Sequence, residues 1–175
     1  METLTSDQFK AFDLTEIING DEIMGPSPFR KHQKLSRQIF KKILLHVEKY
    51  NLGEIYYSPL DIIFDEGINR LQPDLLFIKN ENMGIAQDWI RGIPDMVCEI
   101  VSKGSFAIDT AIKKDIYERY KVPEYWIVIP ELETIEIFTI EEDRYKLFSY
   151  AEGQGVVKSK VIDGLEIDIK NVFED

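Results

Sequence analysis

The sequence predicts an α/β domain in which a mixed central sheet is flanked by helices, with a hairpin added at its N-terminal side and antiparallel strands at its C-terminal side. Three features point there. Asn19-Gly20 joins two short strand-like runs, and that dipeptide tolerates the positive φ of a two-residue hairpin turn. Leu35, Ile39, Ile43 and Val47 recur on one helical stripe. The run Met96 to Val101, a helical segment and Glu124 to Ile129 form a strand–helix–strand unit, a connection that is parallel and right-handed when its strands are neighbours.

With 44% hydrophobic residues, 30% charged, 7 prolines and 10 glycines, the composition is that of a globular chain and not of a disordered one. At 175 residues it suits one domain, 1–175, and is short for two. No basic segment followed by an apolar core opens the sequence, and no stretch approaches the roughly 18 apolar residues that span a bilayer. A cytoplasmic chain with no membrane partner is therefore expected. Cys98, the lone cysteine, lies in an apolar run and is expected to be a buried thiol.

In chain order, Thr5 or Ser6 can cap a short helix through about Phe12. The hairpin follows, Thr15 to Ile18 and Asp21 to Met24. Gly25-Pro26-Ser27-Pro28 breaks it, and a helix is expected from about Phe29 to Tyr50. Glu54 to Phe64 and Gln72 to Ile78 read as an antiparallel pair, and Met96 to Val101 as a central strand apolar enough to be buried on both faces. In the helix from Phe106 to Lys121, Ile108, Ala111, Ile112, Ile116 and Tyr120 form the apolar stripe, and Val122-Pro123 ends it. Thr134 to Ile140 and Tyr145 to Tyr150 read as a hairpin with solvent-facing alternation.

The net charge of −11 argues against nonspecific binding to a polyanion, but the charge is unevenly spread. Between Phe29 and Lys42 stand Arg30, Lys31, Lys34, Arg37, Lys41, Lys42 and His32 with no acid among them, whereas Glu131 to Asp175 holds twelve acids against five bases. Such a polarised chain can present one face to nucleic acid.

Chemistry concentrates on Pro73-Asp74, at the start of one strand-like run, and Glu99, within the next. Two carboxylates on adjacent strands can hold a divalent cation, and the backbone carbonyl of Ile100 can add a third oxygen. A nearby lysine would then offset charge developing on a phosphate. Asp95 is a decoy for this motif, because only four residues separate it from Glu99 and both fall on one strand.

Pro73-Asp74 with Glu99-Ile100-Val101 resembles the PD-(D/E)XK motif of restriction-endonuclease-like nucleases. More specifically, the ordered set Glu16 to Asp21, Pro26-Ser27-Pro28 with His32-Gln33, Ser58 to Asp61, Gln72 to Phe77, Pro94 to Ser102 and Val122 to Val128 resembles a bacterial restriction-endonuclease domain family with uncharacterised members. The resemblance implies a restriction-endonuclease-like core and a Mg2+-dependent endonuclease acting on nucleic acid, DNA by preference, with Mn2+ as a substitute cation. It implies Asp74 and Glu99 as metal ligands, and acids near the site at Glu16 and Asp61. The superfamily lysine should stand two residues after the acid, where this chain has Val101. A lysine moved to the next helix is implied instead, and Lys113 is the candidate. Lys103 is its local rival, since residues 99, 101 and 103 share a face if the strand continues that far, against which Gly104 argues. Lys114 should point about 100° away from Lys113, towards solvent. His32, at the start of the basic helix, could touch phosphate or accept a proton. A homodimer would let such an enzyme cut both strands. The competing reading is a catalytically inactive nucleic-acid-binding or protein-interaction domain on the same fold, with Val101 marking a lost lysine.

Overall fold

The computed structural model describes residues 14–24, 28–102 and 104–174. The expected helix from Thr5 or Ser6 to Phe12 and the candidate Lys103 lie outside them. Strands β1 (Thr15–Ile18) and β2 (Asp21–Met24) pair antiparallel, and Asn19 and Gly20 take the φ values of 52° and 89° that their turn requires. Helix α1 (Arg30–Tyr50) buries Leu35, Ile39, Ile43 and Val47, the expected stripe, and closes on left-handed Asn51.

Where one strand was expected from Glu54 to Phe64, the chain forms two. β3 (Gly53–Tyr57) and β4 (Ile62–Asp65) belong to different sheets. Ser58 still donates its N–H to the Asp74 carbonyl at 3.0 Å, but Pro59 has no N–H to give and the ladder stops. β5 (Asn69–Leu71) turns back on β4, and β6 (Leu75–Lys79) pairs with β3. A 3-10 turn at Asn80–Ile85 leads to β7 (Ile90–Arg91), then to β8 (Met96–Ile100), every residue of which is buried. A π-helical turn at Ile108–Lys113 continues into α2 (Lys114–Arg119), and β9 (Glu124–Ile129) returns parallel to β8, as the crossover predicts.

β10 (Thr134–Glu141) and β11 (Arg144–Glu152) are the expected hairpin, but β10 is largely buried rather than solvent-facing because both of its faces are covered, Ile135 and Ile137 packing on one side and Phe138 on the other. β12 (Val156–Lys158), β13 (Glu166–Asp168) and α3 (Lys170–Phe173) complete the described chain. The main sheet runs β11-β10-β9-β8-β6-β3, and a second sheet runs β2-β1-β5-β4-β7.

One core cluster joins α1, β12, β13 and α3 to Leu75, Phe77, Met96, Cys98 and Ile100; the other joins the second sheet and α2 to Leu76, Ile78, Val97, Tyr125 and Ile127. The main sheet therefore separates two apolar layers, and alternation along β8 turns Glu99 towards the second. Cys98 is buried and burial pushes its thiol well up, so it is a packed and unreactive group. Asp95 is structural: its carboxylate accepts from the Lys79 N–H and the Asn82 side chain, both at 2.8 Å. Among the described residues no helix is long and apolar enough to cross a membrane.

Candidate active site

Asp74 is placed by the β6–β8 ladder. Leu75 pairs with Cys98 in antiparallel register, so one step further Asp74 stands opposite Glu99. Its Oδ2 accepts from the Ile100 N–H at 2.7 Å and lies 3.1 Å from His32 Nε2. That places His32, in the first turn of α1, directly on the carboxylate. Burial works against the imidazolium, but the Asp74 carboxylate and the Ile100 carbonyl outweigh it and hold the His32 pKa above 6.5. Its Nδ1 is buried and has no hydrogen-bond partner among the described residues.

Glu99 is 3% exposed, and its Oε1 accepts from Tyr117 Oη at 2.7 Å and from Lys113 Nζ at 3.2 Å. Lys113 Nζ is also 2.8 Å from Glu16 Oε1 and 3.7 Å from Asp109 Oδ1, so three carboxylates surround one ammonium. Burial alone would lower the Lys113 pKa, yet Glu99, Glu16 and Asp109 together raise it and keep the side chain charged. Burial pushes Glu99 well up, against the pull of Lys113.

Glu16 reaches the centre from the added hairpin, where its Oε1 also accepts from the Gln72 N–H at 2.7 Å. Gln72 Nε2 donates to Asp61 Oδ1 at 2.7 Å, and Arg70 Nε lies 3.8 Å from the other Asp61 oxygen. Asp61 is thus linked to the centre through Gln72 and does not itself touch Lys113. Lys114 differs from expectation: its Nζ sits 3.4 Å above the Phe138 ring rather than in open solvent, and burial lowers its pKa.

The helix phase explains why Tyr117 and Asp109 were not legible. Ala111 is exposed and Ile112 is 40% exposed, although both belonged to the expected apolar stripe; Asp109, Lys113, Ile116 and Tyr117 face inward instead. The π turn offsets the two halves of the helix, and such turns recur at functional sites. The one available signal was Tyr117 at four residues from Lys113, which places both on one helical face.

Asp109 titrates at about 6, raised by burial against the opposing pull of Lys113. The folded chain then binds more protons than the unfolded one between roughly pH 4 and 6, so stability falls as pH rises through that window, by on the order of 3 kcal/mol. Urea unfolding across it should show a slope that is shallower in Asp109→Asn than in the wild type by about this amount, the remainder belonging to Glu99 and Glu124, which burial also pushes up.

Asp74 Oδ1 and Glu99 Oε2 take no hydrogen bond from the described residues. Among the described residues no three His, Cys, Asp or Glu side chains converge as a ligand set. Asp74 and Glu99 offer two carboxylates on facing strand positions, hard-oxygen donors of the kind that suit a divalent cation whose shell is completed by water.

A profile of the family described as "Putative restriction endonuclease" (Uma2) matches residues 7–170 of this chain. The fold is similar to a crystal structure of "a putative nuclease belonging to DUF820" from Anabaena variabilis, with a TM-score of 0.77 and 18% identity over 98% of each chain. A search of curated proteins gives no match.

Proposed function

The chain belongs to the family described as "Putative restriction endonuclease", and we propose that it is a metal-dependent endonuclease that hydrolyses phosphodiester bonds in DNA. The observation that carries this reading is the contact of Lys113 Nζ with Glu99 at 3.2 Å and Glu16 at 2.8 Å. It supplies from the helix the positive charge that Val101 cannot supply from the strand, where Val101 is instead 2% exposed in the apolar core.

Asp74 Oδ1, Glu99 Oε2 and the Ile100 carbonyl would hold Mg2+, with Mn2+ as a substitute. Bound there, the cation would polarise a phosphoryl oxygen and acidify water. Lys113 Nζ offsets the negative charge that grows on the phosphate as the nucleophile adds. Tyr117 and Lys113 both hold Glu99 Oε1, which fixes the carboxylate and leaves Oε2 to the ligand. Through its Nε2, His32 keeps Asp74 turned towards Ile100. A homodimer would bring two such centres to a duplex.

The test is nicking of plasmid DNA with Mg2+ or Mn2+ by the wild type and by Asp74→Ala. Activity in the wild type, reduced at least about 100-fold in a variant of unchanged fold, is expected. Equal rates in both proteins would refute the assignment. A wild type that binds duplex without cutting it would favour the inactive nucleic-acid-binding domain.

A further inference from the structure

Along the second half of the chain, basic side chains are repeatedly matched by an acid. Arg91 pairs with Glu66, Arg119 with Asp115, Lys121 with Asp143, Arg144 with Glu118, Lys146 with Glu142, Lys158 with Glu166, Lys160 with Glu141 and Lys170 with Glu174. Helix α1 is different. Arg30, Arg37 and Lys41 are exposed, and none of them has an ion-pair or hydrogen-bond partner among the described residues. Lys34 lies between them and donates to the Glu174 backbone carbonyl at 3.2 Å. In a chain of net charge −11, leaving Arg30, Arg37 and Lys41 unmatched among the described residues is a local feature and not a consequence of excess base.

The spacing of four, three and four residues places Arg30, Lys34, Arg37 and Lys41 on one stripe, roughly 170° around the helix from Leu35, Ile39, Ile43 and Val47. Eleven residues of helix carry it over about 16 Å. Duplex DNA presents one phosphate charge per about 1.7 Å of axis, so several phosphates fall within that reach. The stripe faces away from the sheet, whereas His32 on the same helix points into it at Asp74. It therefore does not line the candidate active site and would engage a different stretch of backbone from the one being cut.

We propose that the outward stripe of Arg30, Arg37 and Lys41 on α1 is a docking surface for the phosphates of duplex DNA flanking the scissile bond. This rests on the endonuclease reading for the meaning of "flanking", but the binding itself does not require cleavage. Each phosphate contact contributes about 0.9 to the slope of log affinity against log salt.

The experiment measures binding of a short fluorescent duplex against salt, in EDTA, to four full-length proteins. These are the wild type, Asp74→Ala, the triple variant Arg30→Ala/Arg37→Ala/Lys41→Ala, and a control triple Lys121→Ala/Lys146→Ala/Lys158→Ala with the same change in net charge. The stripe variant should lose on the order of 100-fold in affinity at 0.1 M salt and nearly 3 from the salt slope, while the control triple matches the wild type. Equal losses in both triple variants would reduce the effect to net charge and overturn the proposal, as would no loss in either. Failure of the wild type to bind duplex would overturn it as well. So would a stripe that serves instead to seat the acidic C-terminal half of a second copy, seen as wild-type dimers that the stripe substitutions dissolve. Hydrolysis of a small phosphodiester with Mn2+ separates the two readings: it should persist in the stripe variant and be lost in Asp74→Ala.

Discussion

Lys113→Met should destabilise the folded protein by about 3–5 kcal/mol and abolish nuclease activity in the fraction that remains folded. The stability loss arises because the substitution removes the only cation in contact with Glu16, Glu99 and Asp109 among the described residues, and two of those acids are at most 4% exposed. Buried carboxylates left without a partner must either stay ionised at great cost or bind protons. Methionine preserves most of the aliphatic volume, so packing contributes little to the difference. Adding Glu16→Gln to Lys113→Met should restore part of the stability but none of the activity, because it removes a surplus charge without returning a cation to the site. Urea unfolding and plasmid nicking read the two quantities separately. A loss of stability below about 1 kcal/mol would show that Lys113 is not the counter-charge of the cluster.

Glu124→Ala should cost about 4 kcal/mol or prevent folding at 37 °C. Glu124 is fully buried at the start of β9, and its two oxygens accept from Trp126 Nε1 at 2.7 Å, Ser159 Oγ at 2.6 Å, and the Lys160 and Val161 N–H groups at 2.6 and 3.1 Å. These donors lash the segment after β12 to the main sheet. Burial raises the Glu124 pKa and the four bonds pull it back, the pattern of a carboxylate held by design of its surroundings rather than left to solvent. Removing it strands the buried Trp126 N–H, at about 1–3 kcal/mol before relaxation, and releases three partly buried donors besides. Glu124 pairs in register with Met96, at the opposite end of β8 from Glu99. Cation binding per folded molecule should therefore survive the substitution, and a variant that stayed folded yet lost it would contradict this separation.

Much of the fold was legible because its signals are local. The Asn19-Gly20 turn, the α1 stripe and the β8–crossover–β9 unit each follow from a short pattern whose physical cause acts within the segment. The split of Glu54 to Phe64 was less legible, since whether β3 and β4 share a sheet depends on partners, β6 and β5, that lie elsewhere in the chain. Burial of β10 was hidden for the same reason: its two faces are covered by elements from elsewhere in the chain, and its alternation alone cannot report that.

The candidate site divides in a similar way. Asp74 and Glu99 could be named from motif spacing, and the structure places them opposite one another. Lys113, Glu16 and Asp61 came from resemblance and His32 from its place at the start of the basic helix, and all are linked to the same centre, Asp61 through Gln72. Tyr117 and Asp109 flank Lys113 in the sequence but were given no role, because uniform 3.6-residue periodicity assigns the inward face of their helix to Ala111 and Ile112, and a π turn changes that phase. Lys114 likewise found the Phe138 face through a tertiary contact that no helical wheel contains.

The central claim is that Asp74 and Glu99 form a divalent-cation site, and calorimetric Mn2+ titration of the wild type and Asp74→Ala tests it without a substrate. Saturable binding in the wild type that Asp74→Ala abolishes, with both proteins equally folded, is the expected result. Binding of equal affinity in both proteins, or none in the folded wild type, would contradict it.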